Sequence, residues 1–441
     1  METNDNKLSL VANMASACKN AVCALKKKWY LLKNYVLLTR LYKKNEVIIA
    51  RLQEKAKHDK IKVAFLVIFD SVFPAQNVYK LMKSEETIFA PSIIVVPDTL
   101  RGHDNLHNNM QKTYAYLKDL YGDDVILSYD METREFRDLI DEFDICCPAN
   151  PYDGMTYRYY RIERIRQHGL LLFYVNYGYP TVKYARNVFS RKELSYVWRY
   201  YTESDELADE YKKYSLIHAT NTLTVGYCKM DSLAQYAETP HERKKIIIAP
   251  HHTVKRIANI FLSNFLELSN LFLELPARYP QIDFVFRPHP LLFSTLRSTD
   301  FWGDAKVEAY ILKMQAYANV EYQDCGDYFE AFATADAIIH DCSSFVTEWM
   351  YTGKPGCYIL KNENVIKEQF VEFGEKILQH YYHAFTREDI LEFIDSVVLC
   401  GNDYKKDKRI AFADKYIKVN YPNSSSIIVA DLTKNVMGDQ G

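Results

Sequence analysis

Val63 to Phe69 is an uninterrupted apolar run, and similar runs recur at Ile93–Val96, Leu170–Val175, Ile246–Ile248 and Ala337–Ile339. A strand needs such a run when helices cover both faces of its sheet, as they do in parallel sheets. Helical patterns lie between the runs: Ala75–Lys83, Asn105–Tyr121, Arg134–Asp141, Ile257–Leu275, Asp304–Tyr317, Tyr328–Ala335 and Phe345–Tyr351. Strands alternating with helices predict a doubly wound α/β fold. A chain of 441 residues exceeds what one ordinary core holds,. The polar, proline-containing stretch Thr239–Lys245 breaks the alternation near its middle. The reading is therefore two Rossmann-like domains facing a cleft, 61–240 and 241–400. A basic helical extension, 1–60, precedes them and a helical tail, 401–441, follows. The first sheet is expected to end with Ile145–Pro148 and Leu170–Val175, and residues 365–435 to be mostly helix.

Bulk properties exclude several classes. A formal net charge of −2 gives no overall field that would recruit nucleic acid,. The 9 Cys show no metal-ligand spacing and read as reduced thiols of a cytoplasmic protein,. No run of eighteen apolar residues is present, so no transmembrane helix is expected. Residues 8–57 interleave Lys26, Lys27, Lys28, Lys33 and Arg40 with Trp29, Tyr30, Leu32, Tyr35 and Leu38. That composition suits peripheral attachment to the inner face of a membrane. A helical hairpin packed on the body is the other reading. The 35 Tyr suit surfaces that meet sugars or partners, although codon bias would give the same count,.

Four motifs follow strand ends, where open α/β sheets bind ligands. In Arg287-Pro288-His289-Pro290 the prolines stiffen the loop, the Arg can fork onto phosphate oxygens, and the His can donate to a phosphate or protonate a leaving group. In Asp341-Cys342-Ser343-Ser344, a serine at the N-cap would leave backbone N–H groups for a phosphate. Glu348, one turn further, could accept from ribose hydroxyls. Ala249-Pro250-His251-His252-Thr253 opens the second domain. Its two adjacent histidines are expected to point apart rather than serve one ligand. No metal site is expected, because no carboxylate or third His lies at a useful spacing. Asn176-Tyr177-Gly178-Tyr179-Pro180 forms a turn facing the cleft, where Asn176 and Gly178 could hold acceptor groups. Dinucleotide, Walker, serine-hydrolase and zincin signatures are all missing.

From roughly Lys62 onward the chain resembles the CDP-glycerol glycerophosphotransferase family of teichoic acid and capsule enzymes. The likeness rests on the 249–253 loop, Arg287-Pro288-His289-Pro290, Asp341 to Ser344, Glu348 and Gly353-Lys354-Pro355. It implies a GT-B fold whose second domain holds a cytidine donor, with Arg287, His289, Ser343 and Ser344 as donor ligands. Pro290, Asp341, Glu348 and Thr253 are grouped with them as donor-side candidates. One departure matters. The family's His-Gly-Thr-Pro turn, whose His is the expected base, reads Tyr177-Gly178-Tyr179-Pro180 here. A tyrosine is a poor base at neutral pH. His251 and His252 are then candidates to take the proton, with Tyr177 retained as a catalytic candidate.

The activity implied is transfer of a polyol-phosphate group from CDP-glycerol or another CDP- or CMP-activated donor. The acceptor would be a hydroxyl of a cell-surface glycan or a lipid-linked compound, with release of CMP and no cofactor or metal. Two alternatives stand beside it. One is a GT-B glycosyltransferase using a CMP- or other nucleotide-sugar donor. The other is a non-catalytic scaffold of the same fold. An oligomer is compatible with either.

Overall fold

The computed structural model describes residues 36–70, 72–84, 87–99, 103–236, 242–256, 260–324 and 326–438, with the isolated positions 25, 29, 32 and 33. Three of the sequence readings lie outside these residues in part: 1–24, 26–28, 30–31 and 34–35 of the basic extension, 239–241 of the linker, and 257–259 of the helix expected from Ile257.

The first domain contributes β1 (Ile61–Val67), β2 (Phe89–Val95), β3 (Val125–Leu127), a small hairpin of β4 (Tyr129–Asp130) and β5 (Glu135–Phe136), then β6 (Ile145–Cys147), β7 (Leu171–Val175), β8 (Arg199–Thr202) and β9 (Thr222–Thr224). The second contributes β10 (Lys244–Ala249), β11 (Ile282–Phe286), β12 (Val320–Tyr322), β13 (Ala337–His340), β14 (Gly356–Ile359) and β15 (Tyr382–Ala384). The two main sheets run β3-β2-β1-β6-β7-β8-β9 and β12-β11-β10-β13-β14-β15. Every pair within them is parallel. Each order reverses beside its first strand, between β1 and β6 and between β10 and β13. That reversal makes the topological switch point, where the crossing helices leave a crevice at the strands' carboxyl ends.

The apolar runs work as two-sided strands. Val63, Phe65 and Val67 enter one core while Ala64 and Leu66 enter another on the opposite face. In β10, Ile246 and Ile248 face one core, and Ile247 and Ala249 the other.

Several elements differ from the sequence reading. The first sheet does not stop at β7 but continues into β8 and β9. Tyr200 and Tyr201 of β8 are 1% and 2% exposed, so rings that read as surface are core. Residues 134–141 form hairpin and 3-10 turn rather than helix, with Arg134 at φ 60. Within 365–435, β15 is an edge strand too short to leave an apolar run. The helix expected from Ile257 starts at Phe265 instead. The backbone N–H of the preceding Asn264 is held by the Asp341 carboxylate at 2.6 Å.

Both ends of the described chain pack on the first domain. Residues 36–55 are helical, and Ile48 and Leu52 are buried in its core. Lys55 pairs with Asp144 at 2.6 Å. Within the described residues this stretch is a single helix packed on the body, while Leu25, Trp29, Leu32 and Val36 are exposed. The final helix, Ser424–Met437, buries Ile428, Leu432 and Val436 in the same core. Among the described residues no helix is long and apolar enough to cross a membrane.

Candidate functional site

Three loops follow the adjacent strands β11, β10 and β13, and they carry the motifs 287–290, 250–253 and 341–344. The register places Ala249 beside His340 and Ile248 beside Phe286, so the three loops leave the sheet side by side.

The histidines do not point apart. The ring centroids of His251 and His252 lie 4.4 Å apart, those of His251 and His289 5.0 Å, and those of His252 and His289 4.1 Å. Fold proximity supplies the third imidazole that sequence spacing did not reveal. Ring nitrogens of the three come within 4.8 Å of one another, a separation that could also hold a cation.

The hydrogen bonds favour an anion. The backbone N–H of Leu291 donates to His289 Nδ1 at 3.1 Å. The backbone N–H of Thr253 donates to His251 Nδ1 at 3.4 Å, and Thr253 Oγ1 lies 2.8 Å from the same nitrogen. With both Nδ1 atoms accepting, the network assigns neutral rings carrying hydrogen on Nε2. A metal-bound imidazole instead donates from its other nitrogen. Burial and the neighbouring histidines hold His251 well below the usual imidazole pKa, consistent with a neutral donor.

Arg287 opens the loop that carries His289, and its side chain is held in place. Its guanidinium donates to Gln323 Oε1 at 2.7 Å and to the Gly326 carbonyl at 2.6 Å, and lies 5.6 Å from the centre of the Tyr328 ring. Lys229 approaches that ring at 4.9 Å. Two fixed cations and two N–H donors near one crevice suit a group with clustered negative charge.

Asp341 has a different place from the one its motif suggested. It is 1% exposed, and its carboxylate accepts from the backbone N–H of His251 and of Asn264, each at 2.6 Å. It therefore clamps the histidine loop to β13. Burial raises its pKa to about 7. Thr253, 1% exposed, likewise braces His251 from within the loop.

Ser344 stands at the N-cap of Phe345–Glu348, but its side chain makes no capping bond there. Ser343 is half-buried, and its carbonyl accepts from Thr181 Oγ1 of the first domain at 3.2 Å. Pro290 is exposed at the rim. Glu348 is fully buried; one carboxylate oxygen accepts from Tyr227 at 3.2 Å and from Lys229 at 3.3 Å. Its partners are thus protein groups that tie the connecting segment to the second domain.

Across the cleft, Tyr177 is 37% exposed, and its hydroxyl meets that of Tyr152 at 3.1 Å. Desolvation raises its pKa further from the neutral range. Gly178 beside it is half-buried and has open space where a Cβ would project. Asn176 is buried and donates to Tyr200 at 2.5 Å and to Glu203 at 2.7 Å. Glu203 was missed by sequence reasoning. It follows β8 at the cleft edge of the sheet, is 2% exposed, and burial raises its pKa to about 7.

Two doubly wound domains with ligand loops at facing strand ends have counterparts among solved structures. The wall teichoic acid polymerase TagF aligns at TM-score 0.55 and 14% identity, over 93% of this chain and 98% of that one. The fold is GT-B. A UDP-N-acetylglucosamine 2-epimerase aligns at TM-score 0.53 and 14% identity, over 85% of this chain and 96% of that one. A UDP-GlcNAc 2-epimerase from Neisseria meningitidis, bound to UDP-GlcNAc, aligns at TM-score 0.52 and 12% identity, covering 85% and 100%. Sequence comparison finds no matching family and no matching curated protein. In this GT-B frame, the histidine cluster and Arg287 belong to the second domain, and Tyr177, Asn176 and Glu203 to the first.

Proposed function

We propose that this chain is a GT-B transferase that takes a CDP- or CMP-activated donor. It would pass a polyol-phosphate group such as glycerol phosphate to a hydroxyl of a surface glycan or lipid-linked acceptor. The observation that carries this reading is the pair of Nε2–H donors, from His251 and His289, with 5.0 Å between ring centroids, on loops one of which also carries the fixed Arg287. Such a site offers preorganised stabilisation as negative charge builds on a departing nucleotide. The acceptor oxygen attacks phosphorus, the bond from phosphorus to the CMP oxygen breaks, and the acceptor's proton passes to a base on the first-domain side of the cleft or to water. The TagF likeness supports the donor class through the fold alone.

Peripheral attachment at the inner face of a membrane through 8–57 is part of the same proposal. Leu25, Trp29, Leu32 and Val36 recur at helical spacing and are 41% to 66% exposed. Lys33 lies 5.4 Å from the Trp29 ring. An apolar stripe edged by lysines suits an anionic lipid surface.

The experiment is a thermal-shift series with CMP, CDP-glycerol, CDP-ribitol, CMP-sugars and UDP-N-acetylglucosamine, followed by mass spectrometry of the product. Stabilisation by cytidine compounds and release of CMP are expected. Stabilisation by UDP-N-acetylglucosamine alone would replace this reading with the second one, nucleotide-sugar chemistry. Tyr177, standing where the resembled family has its histidine, is the observation that favours that second reading.

A further inference from the structure

A cavity of about 290 Å³ opens where the two domains and the segment connecting them meet. Phe73, from the loop after β1, and Tyr116 and Tyr121, from the helix His103–Tyr121, line it from the first domain. Phe73 and Tyr121 pack edge to face, with centroids 6.5 Å apart. Asp70 and Lys80 line it on the same side, and Lys229, Asp327 and Tyr328 on the other. Tyr328 is the ring that carries Arg287 on its face, so the cavity adjoins the candidate phosphate site.

The lining selects among occupants. An apolar chain would strip water from Asp327, Lys80 and Lys229 without replacing its hydrogen bonds, which is unfavourable,. Two carboxylates, Asp70 and Asp327, stand against two ammonium groups, Lys80 and Lys229, so the wall carries no net charge to draw in a second phosphate. A neutral, hydroxyl-rich ring satisfies both halves of the wall. Its hydroxyls donate to the carboxylates and accept from Lys80 and Lys229, and its C–H faces lie on aromatic rings that are apolar in body and polar at the tip,. The volume lies just below the usual range of ligand sites, roughly 300 to 1,000 Å³, which favours one ring over an extended chain.

The geometry points to this cavity as the acceptor's seat, taking a single neutral sugar ring next to the donor phosphates. The assignment rests on the transferase reading above and adds the acceptor's chemical class to it.

Saturation-transfer NMR with a panel of neutral methyl glycosides, on the full chain without nucleotide, tests it. At least one glycoside is expected to bind at millimolar concentration. Y116A and K80A, both at solvent-accessible helix positions, are expected to weaken that binding at least tenfold. Stabilisation by CMP, measured in parallel, is expected to be the same in the variants and the wild type. Absence of binding by every glycoside, or binding unchanged in both variants, would overturn the assignment. Glycoside binding without any CMP response would remove the donor reading and leave the cavity as a sugar site.

Discussion

The side-chain amide of Asn176 donates to the carboxylate of Glu203 at 2.7 Å, fixing the residue that opens the 176–180 turn to the end of the neighbouring strand. Burial raises the pKa of this carboxyl from 4.5 to about 7. The folded state therefore holds its proton across a range where the unfolded chain has lost it. Stability contributed by this group is full below the unfolded value and falls as pH rises toward 7, at about 1.4 kcal/mol per pH unit. His340, lowered by burial to about 3, has the opposite slope over part of that range. The test is therefore the difference between variant and wild type. Glu203→Gln is expected to gain stability relative to wild type between pH 5 and pH 8 in urea unfolding. A difference that does not change with pH would show that the carboxyl titrates normally.

His289→Ala removes one of the assigned Nε2–H donors while leaving a half-buried loop position. Loss of one such donor typically costs 10² to 10³ in turnover. Transfer is expected to fall by at least that factor, with the melting temperature within a few degrees of wild type. Wild-type turnover in this variant would remove the histidine cluster from the chemistry.

Lys229 and Glu348 form a pair at 3.3 Å in which the carboxylate side is fully buried. Lys229→Met leaves that carboxylate without its cation and is expected to cost about 3 kcal/mol. Adding Glu348→Gln should recover much of the loss, because the uncompensated charge is then gone. Chemical denaturation of the two single variants and the double variant gives the coupling. Additive losses would mean that the two groups do not act as a pair.

Gly226 has φ +96, and a Cβ there would meet the Val419 carbonyl oxygen at 2.0 Å. Gly226→Ala is expected to destabilise by on the order of 3 kcal/mol through strain and displacement of the 419–424 segment. An unfolding midpoint equal to that of wild type would show that this crossing is loose.

Deleting residues 1–57 would strip Ile48 and Leu52 from the first domain's core and confuse attachment with unfolding. The paired change W29S and L32S touches only exposed positions of the stripe. Co-sedimentation with vesicles containing anionic lipid is expected to drop severalfold, with the melting curve unaltered. Equal sedimentation would leave the extension with a packing role alone.

Long apolar runs made most of the fold legible, since β1, β7 and β10 are buried on both faces and read as such. The missed strands have two causes. In Arg199-Tyr200-Tyr201-Thr202 the hydroxyl-bearing rings disguise a buried strand, and β9 and β15 are short edges. Ser204 was the available signal. It caps the helix Asp205–Tyr214 through a bond from the Leu207 N–H at 3.4 Å. A helix starting there requires the residues before it to end a strand, which puts Glu203 at the cleft edge. The motif residues were legible as types, but their roles were not. Asp341 clamps a loop and Glu348 joins two segments, because burial decides those roles and sequence spacing carries no burial. The convergence of His251, His252 and His289 depends on the β10–β11 pairing, a contact between strands more than thirty residues apart.

The return of Ser424–Met437 to the first domain has a consequence for synthesis. Ile428, Leu432 and Val436 complete a core whose other members are made hundreds of residues earlier. The amino-terminal half therefore leaves the ribosome with an open apolar groove and closes it only when the last helix emerges. Contacts this distant along the chain are slow to form, and the unfinished half is exposed to misassembly in the interval. Chains that stop shortly before residue 424 are expected to fail in the domain they have already finished translating.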